Sequence, residues 1–278
     1  PFVSGRAQVQ VRTPAPKEEL FQEGAITLTT GAIHTVKPLS VTIPKGKLTV
    51  VTGVSGSGKT TLVLESLIPG LQAAIAGHKL PEHVTAVEAP GIRQVKLIDA
   101  TPIGINVRST VATYANIHDE LRKLFARGKE AKALGYKAGD FSYNTGKLRC
   151  PVCDGTGTIS LDVQFLPDVE IPCPQCRGSR YSKDAGRALL RTKAGQAYSL
   201  PQLMAMDVSQ ALEACKDHAL VRQRLQVLSD LGLGYLTLGE ATPSLSGGEA
   251  QRLKLASEMG RGQSDAVFVF DEPTIGLH

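Results

Sequence analysis

The feature that most constrains this chain is the glycine-rich segment at residues 53–61, GVSGSGKTT. It follows an apolar, β-branched run at residues 48–52, which predicts a buried strand, and it precedes residues 62–67, which predict the start of a helix. Strand, glycine-rich loop and helix in this order form the context of a P-loop, in which backbone N–H groups and a helix N-terminus bind phosphate. The expected nucleotide contacts are Gly53, Ser55, Gly56, Gly58, Lys59, Thr60 and Thr61.

Two of these residues have individual roles in phosphate chemistry. Lys59 is expected to neutralise the β- and γ-phosphates of ATP, so we count it among the catalytic residues. The Thr60 hydroxyl is expected to ligate Mg²⁺.

A second phosphate motif is LSGGEAQR at residues 245–252. Ser246, Gly247 and Gly248 open a predicted helix, whose free N–H groups can bind an anion. The apolar run at residues 266–270 then ends in Asp271 and Glu272. Carboxylates that follow a core strand lie where ligands of open α/β sheets bind.

We expect Asp271, the Walker B aspartate, to hold Mg²⁺ directly or through water, and Glu272 to act as the general base toward the attacking water. The order P-loop, LSGGE signature, Walker B is typical of an ABC ATPase that uses ATP and Mg²⁺.

Four of the five cysteines form two CxxC pairs separated by the 19 residues 154–172. This spacing lies in the zinc-ribbon range, and four thiolates complete a tetrahedral Zn²⁺ site without an open catalytic position. The predicted ligands are Cys150, Cys153, Cys173 and Cys176. Two interpretations stay open, a purely structural module and a structural module with a DNA-facing loop. Cys215 is expected to be a core thiol, and none of the six histidines is assigned to metal or catalysis.

The predicted fold class is α/β, an ABC-type P-loop ATPase core with a helical signature subdomain and an inserted Cys₄ zinc module. The expected segments are a linker from a preceding module at 1–24, the first part of the core with the P-loop at 25–116, the signature and insertion subdomain at 117–244 with the zinc module at 150–181, and the signature helix with a truncated second part of the core at 245–278.

Individual elements are also predicted. An antiparallel sheet is expected to lead into the P-loop strand. The predicted strands are 8–11, 25–29, 39–43, 48–52, 94–99 and 266–270, and the predicted helices are 117–126 and 207–231. Neither a signal peptide nor an apolar run of membrane-spanning length is present, so we expect a cytoplasmic protein without a membrane partner.

Positive charge is concentrated in one stretch. The whole chain carries a formal charge of +5, but residues 121–149 hold eight basic and two acidic residues. A solvated face is one interpretation, and a surface for nucleic-acid phosphates is the other. The expected DNA contacts are Arg108, Lys129, Lys132, Lys137 and Arg149.

An ABC ATPase with a Cys₄ site between P-loop and signature resembles the UvrA family, which supplies the first component of the excinuclease ABC complex of bacterial nucleotide excision repair. Further matching motifs lie along the chain. They are FVSGR at 2–6, PIG at 102–104, RS at 108–109, ATY at 112–114, GYK at 135–137, FLPDV at 165–169, GLGY at 232–235 and DEPTIGLH at 271–278.

The resemblance implies an ATP-dependent sensor of damaged double-stranded DNA that loads a partner, the B component of the excinuclease, and has no nuclease site of its own. Family members carry two ABC modules per chain and form homodimers. The resemblance identifies this chain as the carboxyl-terminal ABC module, a fragment of a longer protein. Because each ATP site is then composite, with Ser246, Gly247 and Gly248 directed at another module's P-loop, the fragment alone is expected to bind nucleotide weakly and hydrolyse it negligibly.

One departure from the family concerns residues 100–101. Family members usually have Gln-Ser before Pro-Ile-Gly, and this chain has Ala100 and Thr101. Loss of that Gln removes a Mg²⁺ or water contact, so a divergent UvrA-like drug-tolerance paralogue is an alternative.

The ATPase component of an ABC transporter is a further alternative. The 185-residue separation of Thr60 from Leu245 and its cysteine insertion disfavour it. An ABC chromosome-structure ATPase is disfavoured because the chain contains no heptad repeats. A translation-type ABC factor is disfavoured because a Cys₄ insertion is not expected in that class.

Overall fold

The computed structural model describes residues 16–161, 169–259 and 263–273. The predicted strand at 8–11, the motif at 2–6, most of the predicted linker, residues 165–168 of the FLPDV motif and residues 274–278 lie outside the described residues. The chain divides into two compact units, residues 1–97 with 263–269 and residues 98–262 with 270–278.

The first unit contains an antiparallel sheet in the order β2-β1-β3, formed by β1 (Ala25–Thr30), β2 (Leu39–Pro44) and β3 (Val84–Glu88). Side chains of β1 alternate in burial, as expected for a strand with one covered face. Ile26 and Leu28 pack with Leu71 of helix α1 (Ile68–Ala76), which continues a π-helical segment at Thr61–Leu67. The predicted strands at 25–29 and 39–43 are therefore confirmed, and β3 is a further strand that was not predicted.

The prediction of a strand at residues 48–52 is wrong. These residues adopt no regular structure, and Leu48, Val50 and Val54 are 87%, 71% and 79% exposed. β-branched residues favour a strand mainly through burial and cross-strand packing. No strand among the described residues pairs with this segment, so the P-loop follows an extended, exposed run.

Strand β4 (Gln94–Ile98) pairs with β9 (Ala266–Phe270), and both strands were predicted. The backbone N–H of Arg93 donates to the Asp265 carbonyl at 2.8 Å, which fixes the start of the pair. The prediction that β9 is buried is wrong for its side chains, which are half-buried, and Phe270 is 40% exposed.

The second unit is mainly helical and contains the largest apolar core of the described residues. Its helices are α2 (Val111–Tyr114), α3 (Ile117–Arg127), α4 (Lys129–Ala133), α5 (Leu200–Met204), α6 (Val208–Ala214), α7 (Ala219–Asp230) and α8 (Gly247–Glu258). Two hairpins complete the unit, β5 (Thr158–Leu161) with β6 (Val169–Pro172), and β7 (Leu189–Arg191) with β8 (Ala197–Ser199). Helix α3 confirms the prediction for residues 117–126.

The single helix predicted for residues 207–231 is in fact two helices, α6 and α7. Asp207 caps α6 in a capping box with Gln210. His218 has an extended backbone and breaks the helix, and the Asp217 carboxylate accepts a hydrogen bond from the Lys193 N–H at 3.0 Å. This tertiary contact outweighs the helical periodicity of the flanking residues. Among the described residues, no helix has both the length and the apolar character that crossing a membrane requires.

A buried polar network lies in the core of the second unit. His118 Nε2 lies 2.7 Å from the Tyr181 hydroxyl, which donates to the Phe141 carbonyl at 3.0 Å. Because that hydroxyl has one hydrogen, His118 Nε2 must carry the hydrogen of the shorter bond. The imidazole is 3% exposed, and burial lowers the pKa of His118 to about 4.

This lowered pKa predicts a pH dependence of stability. The unfolded state binds a proton at His118 below its ordinary pKa of about 6.5, whereas the folded state does so only near 4. The contribution is therefore fully present above pH 6.5 and lost as the pH falls toward 4, by about 3 kcal/mol in all. Urea unfolding at several pH values should show a smaller loss over this window in His118→Gln, which keeps a donor to Tyr181. Equal losses in both proteins would contradict the assignment.

Candidate nucleotide and metal sites

The P-loop residues lie in the first unit, and their backbone requires glycine. Gly56 and Gly58 have φ of +76° and +88°, in the left-handed region. A Cβ on Gly58 would also lie 2.4 Å from Val36 Cγ2. Lys59 Nζ donates to the carbonyl oxygens of Gly53 and Val54, both at 2.9 Å. The loop thus wraps around its own lysine ammonium, which places a cation where phosphate oxygens would enter.

The signature residues open helix α8 in the second unit. Ser246 is the N-cap, and its backbone N–H donates to the Glu249 carboxylate at 2.7 Å in a capping box. The Tyr235 hydroxyl donates to the same carboxylate at 2.5 Å. Burial opposes the shift, but hydrogen bonds from Tyr235 and Ser246 hold the pKa of Glu249 below its usual range. The orientation of the two glycines is therefore fixed by a charged cap.

Helix α8 is also attached to the loop that contains Ala100. Lys254 Nζ donates to the Asp99 carboxylate and, at 2.8 Å each, to the carbonyl and hydroxyl oxygens of Thr101. Burial opposes the shift, but Lys254 holds the pKa of Asp99 below its usual range. A Cβ on Gly247 would lie 3.1 Å from the Ala100 carbonyl oxygen, so glycine permits this close approach. The role of Lys254 was not predicted, although a lysine in the signature helix and an aspartate after a core strand were visible signals.

The Walker B residues follow β9 directly. The Asp271 N–H donates to the Ile98 carbonyl at 3.1 Å, and Glu272 has a φ of +43°. The amide of Gln251 on α8 donates to the carbonyl oxygens of Asp271 at 2.6 Å and Ile98 at 3.2 Å. Gln251, whose role was not predicted from the sequence either, therefore connects the signature helix to the ends of both strands.

The four predicted metal ligands come together. Their sulfur atoms all lie within 4.8 Å of one another, with Cys150 to Cys173 at 3.9 Å and Cys153 to Cys176 at 3.7 Å. A tetrahedral Zn²⁺ with Zn–S bonds of about 2.3 Å places its sulfurs about 3.8 Å apart. The donor set and its spacing therefore fit zinc. Cys215 is a buried thiol apart from this set, as predicted, and burial raises its pKa to about 12.

Local backbone geometry holds the two cysteine turns in place. The antiparallel pairing of β5 with β6 aligns the segments that carry them, and the Cys173 N–H donates to the Gly157 carbonyl at 2.9 Å. The Gly157 N–H in turn donates to Cys153 Sγ at 3.3 Å. Burial opposes the shift at Cys153, but N–H donors, Gly157 first, lower its pKa to about 7, whereas burial raises the pKa of Cys176 to about 12. Turns that direct N–H groups at sulfur are suited to hold thiolate ligands.

The structure brings together two of the five predicted DNA contacts. Arg108 donates to the Asp154 carbonyl at 2.7 Å and carboxylate at 3.2 Å, and Arg149 Nε lies 2.9 Å from the other carboxylate oxygen. Open pockets of about 490 and 480 Å³ adjoin Arg108 and Arg149 respectively. Lys129 and Lys132 on α4, and Lys137 after it, are exposed. Arg122 and Lys123, by contrast, pair with acids one turn away on α3, which reduces the free charge of the basic stretch.

Comparison with known proteins gives a consistent result. UvrABC system protein A of Thermus thermophilus is 41% identical over 271 residues, covering 96% of this chain and 28% of that protein. The Synechocystis protein of the same name is 42% identical over 282 residues, covering 99% and 28%. The crystal structure of UvrA2 from Deinococcus radiodurans matches all of this chain and 32% of that chain, with a TM-score of 0.82 and 36% identity.

No family model matches the chain. The chain spans less than a third of the length of these curated relatives. The whole-length matches at about 40% identity, together with the superposition on UvrA2, confirm the predicted α/β fold with its Cys₄ module. This chain belongs to the UvrA family.

Proposed function

We propose that this chain is an ATP-binding and ATP-hydrolysing module, the carboxyl-terminal one, of a DNA-damage recognition protein in nucleotide excision repair. The observation that carries the proposal is that P-loop, signature, Walker B and Cys₄ cluster all occur in a chain that matches UvrABC system protein A along its whole length. The proposed partners are damaged duplex DNA, a second ABC module, a second copy of the full-length protein and the B component of the excinuclease. The proposed location is the cytoplasm, and the DNA incisions belong to the partners.

In the ATP reaction, Lys59 would neutralise phosphate charge, and Thr60 and Asp271 would hold Mg²⁺. Bound Mg²⁺ would neutralise negative charge on the phosphates. Glu272 would take a proton from the attacking water. Ser246 and the glycines after it would complete a site on another module, because backbone N–H groups at a helix N-terminus can bind an anion.

Two substitutions in the two-module protein separate binding from hydrolysis. Lys59→Ala should abolish detectable ATP binding at this module, because the loop loses its only cation. Glu272→Gln should keep ATP binding and stop turnover at this site. Equilibrium nucleotide binding and phosphate release measure the two effects, with exposed Lys47→Ala as the control for loss of a lysine in the same unit. Unchanged hydrolysis at this site in Glu272→Gln would remove Glu272 as the general base.

DNA binding is testable through the exposed lysines. The variant Lys129→Glu/Lys132→Glu/Lys137→Glu should weaken duplex binding for all sequences alike. The slope of log affinity against log salt concentration should also become shallower, by roughly 0.9 for each phosphate that the protein no longer neutralises. Lys79→Glu is the control, an exposed lysine outside the basic stretch. The same affinity and slope in the triple variant would show that the stretch is a solvated face.

The zinc site is testable without ATP or DNA. Purified, reduced protein should contain one Zn²⁺ per Cys₄ cluster of this kind by elemental analysis. Cys173→Ser should release that ion and increase hydrogen exchange at residues 150–181, while the ATPase core stays folded, because the metal supplies folding energy only locally. Cys215→Ser, which alters a cysteine outside the cluster, is the control. Equal metal content in wild type and Cys173→Ser would rule out the proposed ligand set.

The paralogue remains a second candidate because of one observation. Ala100 occupies the position where the resemblance implies a Gln, and its backbone and Cβ pack against Gly247. A divergent UvrA-like protein of drug tolerance would keep the same ATP and zinc sites but lack that Mg²⁺ or water contact.

A further inference from the structure

One buried charge in the second unit has no acidic partner. The Arg180 side chain belongs to a residue that is 7% exposed, and among the described residues no carboxylate contacts its guanidinium. The guanidinium lies over the face of the Tyr143 ring, 5.3 Å from the ring centroid, and donates to the Gly155 carbonyl at 3.5 Å. A buried cation is costly unless a nearby negative charge compensates it, and a carbonyl and a ring compensate only part of that cost.

The backbone around Arg180 leads directly to the cysteine sulfurs. The Arg180 carbonyl accepts a hydrogen bond from the Cys150 N–H at 2.9 Å. The aliphatic stem of Arg180 packs on Gly157, where a Cβ would lie 3.2 Å from Arg180 Cγ. Gly157 is the residue whose N–H donates to Cys153 Sγ. Arg180, which follows the second cysteine turn, therefore contacts the backbone of the first, and its guanidinium covers the Tyr143 ring.

Four thiolates around Zn²⁺ carry a net charge of about −2, which is the compensation that Arg180 otherwise lacks. We propose that Arg180 is a positioning residue of the zinc site, whose buried guanidinium balances the negative charge of the Cys₄ cluster. This inference rests on the proposed zinc site and assigns a role within it to a residue that is not a ligand.

The same side chain connects the metal site to the predicted DNA surface. Arg180 covers the Tyr143 ring, and the Tyr143 hydroxyl donates to the Arg108 carbonyl at 3.0 Å. Arg108 then contacts Asp154, the residue after the ligand Cys153. Because Asp154 precedes Gly155, whose carbonyl accepts from Arg180, these contacts form a closed ring that includes Arg180.

The test is zinc affinity, measured by chelator competition on the reduced full-length protein. Arg180→Met keeps the length of the side chain and removes its charge, and it should weaken zinc binding at this site by about 10- to 100-fold, as loss of an outer partner of a metal site typically does. Arg180→Lys keeps the charge and should stay within about threefold of wild type. Arg177→Met is the matched control, because it removes an exposed arginine next to Cys176. It should leave the affinity unchanged.

Cobalt substitution supplies a second readout. The thiolate-to-cobalt charge-transfer band should be retained in Arg180→Lys and require more cobalt to appear in Arg180→Met. The proposal would be overturned if Arg180→Met bound zinc with wild-type affinity. It would also be overturned if Arg180→Lys and Arg177→Met lost as much zinc affinity as Arg180→Met. If Arg180→Met fails to fold, Arg180→Lys decides, since a tenfold loss there overturns the charge argument. Absence of metal at this site in the wild type would instead refute the proposed zinc site itself.

Discussion

The arrangement of the second unit depends on one buried side-chain amide. Gln251, which is 4% exposed, donates from its single NH₂ group to the carbonyl oxygens of Ile98 and Asp271. Ile98 is the last residue of β4, and Asp271 follows the last residue of β9. Carbonyl oxygens at these positions need partners because the strand ladder stops there. Because Gln251 lies on α8, the helix that presents the signature also satisfies the backbone from which the Walker B carboxylates project. Lys254, one turn further along, does the same for the loop at residues 99–101. Signature, Walker B and the Ala100 loop are therefore held as one piece of structure.

The module that contains the four cysteines is ordered by different interactions. Its hairpin is short and its apolar contacts are few, with Ile159 as the main aliphatic partner of the cysteines. A segment of this size buries too little apolar surface to pack by hydrophobic contact alone. Its order instead depends on turns that direct N–H groups at sulfur and on glycines such as Gly155, where a Cβ would lie 1.7 Å from the Tyr143 carbonyl oxygen.

Local features of the chain, such as turns and clusters of cysteines, were predicted better from sequence motifs than the strands and helices were. Residues such as Gly58, the two CxxC pairs and Ser246 have local backbone or ligand requirements, so short spacing rules identify them, and the structure places them as expected in turns, a sulfur cluster and an N-cap. The strand at 48–52 and the unbroken helix at 207–231 failed because their outcome depends on partners distant in sequence. The contacts of Gln251 and Lys254 were not predicted for the same reason, since each side chain has an acceptor, Ile98 and Thr101 respectively, more than 150 residues away.

A continuous set of contacts joins the metal module to the start of the signature segment. The Tyr143 hydroxyl, covered by Arg180, donates to the Arg108 carbonyl and lies 3.1 Å from the Thr110 hydroxyl. Thr110 caps α2, and the backbone on either side of it bonds to the segment before the signature, from Val111 N–H to the Glu240 carbonyl at 3.0 Å and from Thr242 N–H to the Ser109 carbonyl at 2.9 Å. Each of these groups is buried or tied to backbone, so a displacement of the cysteine turns strains the segment that leads to Ser246. Within this unit, the cysteine turns and the segment that leads to Ser246 are thereby joined by one set of hydrogen bonds.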